Sequence, residues 1–196
     1  MSGTVGTPMT HLVNGRMIVP PFPEGMETLV VGMGCFWGAE QRFWETPGVW
    51  TTAVGFTGGT SPEPGYRDVC TGATGHAEVV LVVFDPLELT LEGALAVFWN
   101  NHDPTQGMRQ GNDIGTQYRS CIFVADAEQR AAAEATRDAM EPLLADAGFG
   151  PITTQISELG TFHYAEDYHQ QYLARNPTGY CGLGDTGITC PTGVVG

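Results

Sequence analysis

The chain has 196 residues, enough for one domain with a real core, and its eight Lys and Arg against 22 Asp and Glu leave a formal charge of −14. That field repels phosphate backbones and anionic membrane surfaces, no apolar run approaches the ~18 residues of a membrane span, and no basic stretch leads into an apolar segment at the start. Nucleic-acid binding, membrane insertion and export are thereby argued against, and five scattered cysteines, an odd number, do not make a disulfide-stapled scaffold. The expectation is a soluble cytoplasmic protein with reduced thiols.

Residues 1–26, ending in "VPPFPEG", have no lasting periodicity and read as an N-terminal arm on the surface. "ETLVVGMG" (27–34) is a short Val-rich strand, and "CFWGAEQRFWET" (35–46) spaces Phe36, Ala39 and Phe43 along one helix face until Pro47 and Gly48 stop it. "VWTTAVGFTGG" (49–59) alternates as a strand, 60–75 is a loop, and "HAEVVLVVFDP" (76–86) is the most β-like segment. A helix over 89–103 with Thr90 as N-cap and a strand over 118–126 complete β-α-β-β-α-β. That order predicts an α+β, ferredoxin-like (split βαβ) two-layer plait with two helices on one face. Additional elements are a helix over 127–147, a β-branched stretch over 152–159 and a short helix over 165–175. The arm, a catalytic domain over 27–175 and a tail over 176–196 make up the chain. The tail has a glycine every third or fourth residue and little to pack, so mobility is expected of it.

"GMGCFWGAE" (32–40) puts Cys35 where the first strand gives way to the first helix. Orphan N–H groups of a helix start favour a thiolate, which is the nucleophilic form, and Gly32, Gly34 and Gly38 allow close approach. A buried core cysteine is the competing reading. Cys181 and Cys190, set on the Gly-rich tail, favour a thiol that is oxidised in turnover and resolved by disulfide exchange. A Cys-His hydrolase needs a base, and nothing in the chain places His76, His102, His163 or His169 beside Cys35.

The blocks "GCFWGAE", "GFTGG", "YRDVCTGATGHAEVV", "FWNNHDPTQGMRQGNDIGTQYRS" and "AEDYHQQYLARNPTGYCGLG", followed by Cys190, resemble peptide methionine sulfoxide reductase A in order from about residue 28 to 190. The resemblance implies reduction of methionine S-sulfoxide, with Cys35 as nucleophile and Phe36 and Trp37 walling a pocket for the S-methyl group. Glu78 matches the carboxyl that meets the sulfoxide oxygen, Tyr66 and Tyr118 match the phenols that share this contact, and Asp113 matches a supporting polar residue. Cys181 would condense with the Cys35 sulfenic acid, and Cys190 would carry the disulfide outward to thioredoxin or a comparable dithiol donor. Substrates would be oxidised proteins or free methionine sulfoxide, handled by a monomer with no cofactor and no metal.

The chemistry explains the combination. A sulfoxide is a poor electrophile until its oxygen is protonated or strongly hydrogen-bonded, so the site needs an acid still protonated near neutrality. Burial among the apolar neighbours of its strand raises the Glu78 pKa. Without the resemblance, Glu78 reads as an exposed strand residue and Tyr66 as a loop tyrosine. Cys70 and Cys121 read as structural thiols. His163, Glu166 and His169 fall at i, i+3, i+6, where the last position turns away from a shared metal. One departure from the family pattern is Phe56, where a tyrosine is usual. Two rival classes remain, a thiol peroxidase and a methionine-binding module without catalysis.

Overall fold

The computed structural model describes residues 10–191; residues 1–9 of the expected arm and 192–196 of the tail lie outside the described residues. The chain runs β1 (Glu27–Gly32), α1 (Phe36–Trp44), β2 (Val49–Thr57), α2 (Tyr66–Cys70), β3 (Ala77–Phe84), α3 (Leu91–Asn100), β4 (Arg109–Gln110) and β5 (Asp113–Ile114). It continues through β6 (Cys121–Val124), α4 (Ala127–Asp146), β7 (Gln155–Glu158), β8 (His163–Tyr164) and α5 (Tyr172–Arg175), with 3₁₀ turns at Thr116–Tyr118 and Asp167–His169. The result is a mixed α/β fold around a six-stranded sheet ordered β7-β6-β1-β3-β2-β8. Every pairing in it is antiparallel except β6 with β7.

β3 sits at the centre and is buried along its whole length, as its run of Val residues demands. Its alternation sends Val80, Val82 and Phe84 to one face, where Phe36 and Phe43 of α1, Leu95, Phe98 and Trp99 of α3, and Met140 and Leu144 of α4 close the larger core. Val79, Leu81 and Val83 point to the other face. The N-cap expected at Thr90 is filled, its Oγ1 accepting the Gly93 amide at 3.1 Å, and α4 is capped by Asp126, whose Oδ1 accepts the Gln129 amide at 2.9 Å.

Several elements differ from the sequence reading. The span 60–75 is not all loop, because Tyr66–Cys70 forms α2 on the capping support of Asp68, whose Oδ2 accepts the Gly65 amide at 3.2 Å. The strand over 118–126 is only β6, since the chain first tightens into the 3₁₀ turn that carries Tyr118. The expected helix over 165–175 is broken at Gln171, which has φ +47° and leaves only α5 beyond it. A third helix, α4, shares the face of the two expected ones.

The arm also does more than lie on the surface. Ile18 is fully buried, and Val19, Phe22 and Met26 pack with it over the second face of the sheet. An antiparallel sheet with two apolar faces needs a second cover, and the arm supplies it where no helix does. No helix among the described residues is long and apolar enough to cross a membrane. Truncating Ile18→Ala should therefore cost about 3 kcal/mol, as for other large-to-small core changes, read as a lowered urea midpoint at unchanged slope.

Candidate active site

β1 ends at Gly32, and Met33 and Gly34 carry the chain to Cys35, the N-cap of α1. Gly34 has φ +101°, and a Cβ there would stand 2.6 Å from the Gln110 Cβ, so this turn is glycine on both conformational and steric grounds. Gln110 is itself held by Asp103, accepting its amide at 3.1 Å and donating to its carbonyl at 2.8 Å. Cys35 is thus set at a rigid corner, buried and only 7 % exposed.

A cavity of about 130 Å³ opens beside it, lined by Cys35, Phe36, Trp37, Tyr66, Glu78, Asp113, Tyr118 and Tyr180. Six of these come from four separate stretches: α1, the start of α2, β3 and the segment from β5 through the following 3₁₀ turn. Seven of the lining residues are residues singled out in the sequence; Tyr180 is the addition. It directly precedes Cys181, and its hydroxyl donates to Asp113 Oδ2 at 3.2 Å.

Glu78 shares the face of Val80 and Val82, so its carboxyl points under α1 into the larger core rather than to solvent. It is 2 % exposed, and Oε2 accepts the Phe36 amide at 3.1 Å. Burial raises its pKa to about 8, the Phe36 amide pulling the other way and Asp113 adding to the rise. The carboxyl consequently keeps its proton at neutral pH. This burial and shift agree with the sequence expectation.

The expectation for Cys35 is overturned. Its pKa is raised rather than lowered, first by burial and then by the Glu78 carboxyl, against which the Trp37 amide at the helix start is the weaker influence. The helix terminus acts in the foreseen direction but loses to desolvation, and the amide of Phe36 is spent on Glu78 instead. Burial likewise raises Tyr66, which also hydrogen-bonds the Cys70 thiol, and Tyr118. Both phenols remain hydrogen-bond donors across the ordinary pH range.

His169 has a place beside the site that the sequence reading did not give it. Its Nδ1 accepts the Trp37 indole N–H at 3.1 Å, and its ring lies 5.2 Å from Phe36, 5.8 Å from Trp37 and 4.4 Å from Tyr66 between centroids. Tyr172 stacks on Trp37 with ring centroids 3.8 Å apart. Burial lowers His169 to about 4, so it is a neutral support for the aromatic wall. No histidine lines the cavity, which leaves the hydrolase reading without its base. Among the described residues no group of three or more His, Cys, Asp or Glu could hold a metal ion.

The remaining cysteines divide. Cys181 is exposed and rests against α1 at Gly38. Cys190 is fully buried in the larger core, with its amide donating to Asn100 Oδ1 at 2.7 Å, and Leu183 and Ile188 pack against that core too. The tail therefore has more to pack than its glycines suggest. Cys121 is buried under the sheet, as expected of a structural thiol, whereas Cys70 is exposed at the end of α2. Phe56 lies opposite Glu78 in the β2–β3 register, its buried ring 5.7 Å from Phe36, so the hydroxyl it lacks belongs to the core beside the carboxyl.

A buried thiol, a proton-holding carboxyl and two phenols around a small aromatic-walled cavity, on a mixed α/β sheet, define a thiol-and-acid site for a small polar group. Comparison with known proteins supplies the family. The family described as peptide methionine sulfoxide reductase matches residues 27–187, and the chain belongs to it. The "Peptide methionine sulfoxide reductase MsrA" of Azotobacter vinelandii is 64 % identical over 184 residues, 94 % of this chain and 85 % of that protein. The solved methionine sulfoxide reductase A of Corynebacterium diphtheriae superposes with TM-score 0.80 at 47 % identity, covering 95 % of this chain and 90 % of that one. Mxr1 from Saccharomyces cerevisiae in reduced form gives TM-score 0.74 at 34 % identity, over 82 % and 91 % respectively; that yeast protein is also described in complex with Trx2.

The Glu78 shift has a measurable consequence. An acid whose folded pKa lies above its unfolded value stabilises the fold below the unfolded pKa and loses that contribution as pH rises through the folded one. Between about pH 5 and 8, Glu78 contributes a fall of about 1.4 kcal/mol per pH unit, superposed on the contributions of the buried Glu40, His11, His102 and His169, and Glu78→Gln should raise the slope of stability against pH by that amount in denaturation series across this range.

Proposed function

We propose that this chain reduces methionine S-sulfoxide, in oxidised proteins and as the free amino acid, to methionine, with Cys35 as nucleophile and Glu78 as acid. The observation that carries the reading is the buried Glu78 carboxyl, protonated at neutral pH and set against the first amide of the helix that Cys35 caps. The S-methyl group lies against Phe36 and Trp37, and the sulfoxide oxygen meets Glu78, Tyr66 and Tyr118. Asp113 supports the polar side of the cavity.

The Cys35 sulfur attacks the sulfoxide sulfur while Glu78 protonates the oxygen, so the charge that develops on that oxygen is met by a proton and two phenolic donors. The S–S bond to the substrate forms as the S–O bond breaks, and the oxygen, carrying the Glu78 proton and the Cys35 thiol proton, leaves as water. Water then attacks the Cys35 sulfur, giving up a proton to Glu78, so that the S–S bond breaks, methionine leaves and Cys35 holds the oxygen as a sulfenic acid. The Cys181 thiol then condenses with the sulfenic acid, forming a disulfide and water. Cys190 attacks Cys181, frees Cys35 and leaves a Cys181–Cys190 disulfide for thioredoxin or a comparable dithiol donor. Its burial means that residues around Ile188 must leave the core for that exchange.

The raised Cys35 thiol weighs against the peroxidase reading. A peroxidase needs a resting thiolate, whereas here attack waits for a substrate whose oxygen can take a proton. The strand order β6-β1-β3-β2 supports the split βαβ plait, with the catalytic domain over 27–175 and a tail over 176–196. We place the protein in the cytoplasm as a monomer without cofactor or metal.

Separated S and R epimers of a methionine sulfoxide peptide, with dithiothreitol as reductant, test the reading. Turnover of the S epimer alone is expected, abolished in Cys35→Ser, slowed on the order of 10²-fold in Glu78→Gln and roughly ten- to a hundredfold in Tyr118→Phe. Turnover of both epimers alike, or of neither, refutes it. With a dithiol protein as donor, Cys181→Ser should release one equivalent of methionine and stop.

A further inference from the structure

Gly38 lies one turn into α1, on the side of the helix that also carries Cys35. A Cβ at this position would stand 2.7 Å from the Cys181 Sγ and 3.0 Å from the Leu183 Cγ. The exposed thiol of the tail therefore rests on bare helix backbone, closer than any side chain would permit, and close enough to Cys35 for a charge on it to oppose the ionisation of Cys35. Helix propensity argues for alanine here, since glycine within a helix costs up to about 1 kcal/mol. The position gives up that stability in return for room at one sulfur.

We infer that Gly38 is a positioning residue for the resolving step: it seats Cys181 beside Cys35 before oxidation occurs. The inference rests on the roles given above to Cys35 and Cys181. In the step concerned, the Cys181 sulfur attacks the sulfur of the Cys35 sulfenic acid, an S–S bond forms, the S–O bond breaks, and hydroxide takes the Cys181 proton to leave as water. A sulfenic acid that waits is open to further oxidation, so a thiol already seated within reach protects the enzyme as well as speeding it. Leu183 adds the anchor, because it touches the same glycine and packs against the core.

A methyl group at Gly38 meets two tail side chains, Cys181 and Leu183, rather than rigid backbone, so the tail moves and the helix does not. Restoring ordinary contact shifts the sulfur by about 1 Å, and a misplacement of that size can cost about 10²-fold in a step that depends on alignment.

The experiment uses the full chain as wild type, Gly38→Ala and Cys181→Ser, mixed with one equivalent of a methionine S-sulfoxide peptide and no reductant. Methionine formation reads the first step. Dimedone capture on Cys35 and mass spectrometry of the Cys35–Cys181 disulfide read the second. Expected for Gly38→Ala are methionine formation within threefold of wild type, a thermal midpoint no lower than wild type, disulfide formation slowed ten- to a hundredfold, and a dimedone adduct approaching that of Cys181→Ser. Disulfide formation at the wild-type rate in Gly38→Ala overturns the inference, as does equal slowing of both steps, which would mean a distorted α1. Wild-type protein that forms no methionine refutes the functional reading itself, a failure visible before any disulfide could form.

Discussion

A carboxyl placed under the start of a helix, with one amide to satisfy it, sets the protonation of the cavity. Glu78 is set there by β3, whose alternation commits it to the same face as Val80 and Val82. An uncompensated buried carboxylate is expensive, and the molecule avoids it by keeping the proton. That choice propagates to Cys35, whose ionisation is opposed by the same burial and by the same carboxyl. The resting site is therefore a neutral pair, an acid and a thiol.

The aromatic wall depends on a second buried acid. Glu40, on α1, accepts the Gln171 amide at 2.8 Å, the Gln171 side chain at 2.7 Å and the Thr52 hydroxyl at 3.0 Å. Those bonds hold Gln171 in the left-handed region, a conformation a side-chain-bearing residue adopts only when its surroundings insist. The break it makes turns Tyr172 onto Trp37 and leaves His169 beneath the indole N–H. The arm joins the same network, since Leu12 donates its amide to Gln171 at 3.1 Å and His11 meets Thr52 at 2.9 Å. The cover over one face of the sheet is thus tied to the pocket wall on the other.

The two tail cysteines sit in opposite environments, nine positions apart. Cys181 is exposed against a glycine of α1, and Cys190 is enclosed with the core side chains. A glycine-rich segment can do this because its few apolar residues, Leu183, Ile188 and Cys190, each find the core while the glycines between them bend freely. This attachment holds one thiol near the site and the other away from it.

Much of this was legible in local sequence. The strand-to-helix junction at Cys35, the Val-rich strand β3 and the cap at Thr90 each follow from neighbouring residues, because period, propensity and capping are short-range properties, whereas the residues alone made Glu78 an exposed strand position. Their combination also carried the family. The α2 turn around Tyr66, the His169 support, the arm over the sheet and the burial of Cys190 were not legible. Trp37 and His169 lie 132 positions apart, and Leu12 and Gln171 159 apart. The sequence by itself determined which elements form and which residue types can do sulfur chemistry. Only the tertiary structure decided that burial outweighs the helix start at Cys35 and that the tail docks, because desolvation and long-range packing depend on what the rest of the chain brings alongside.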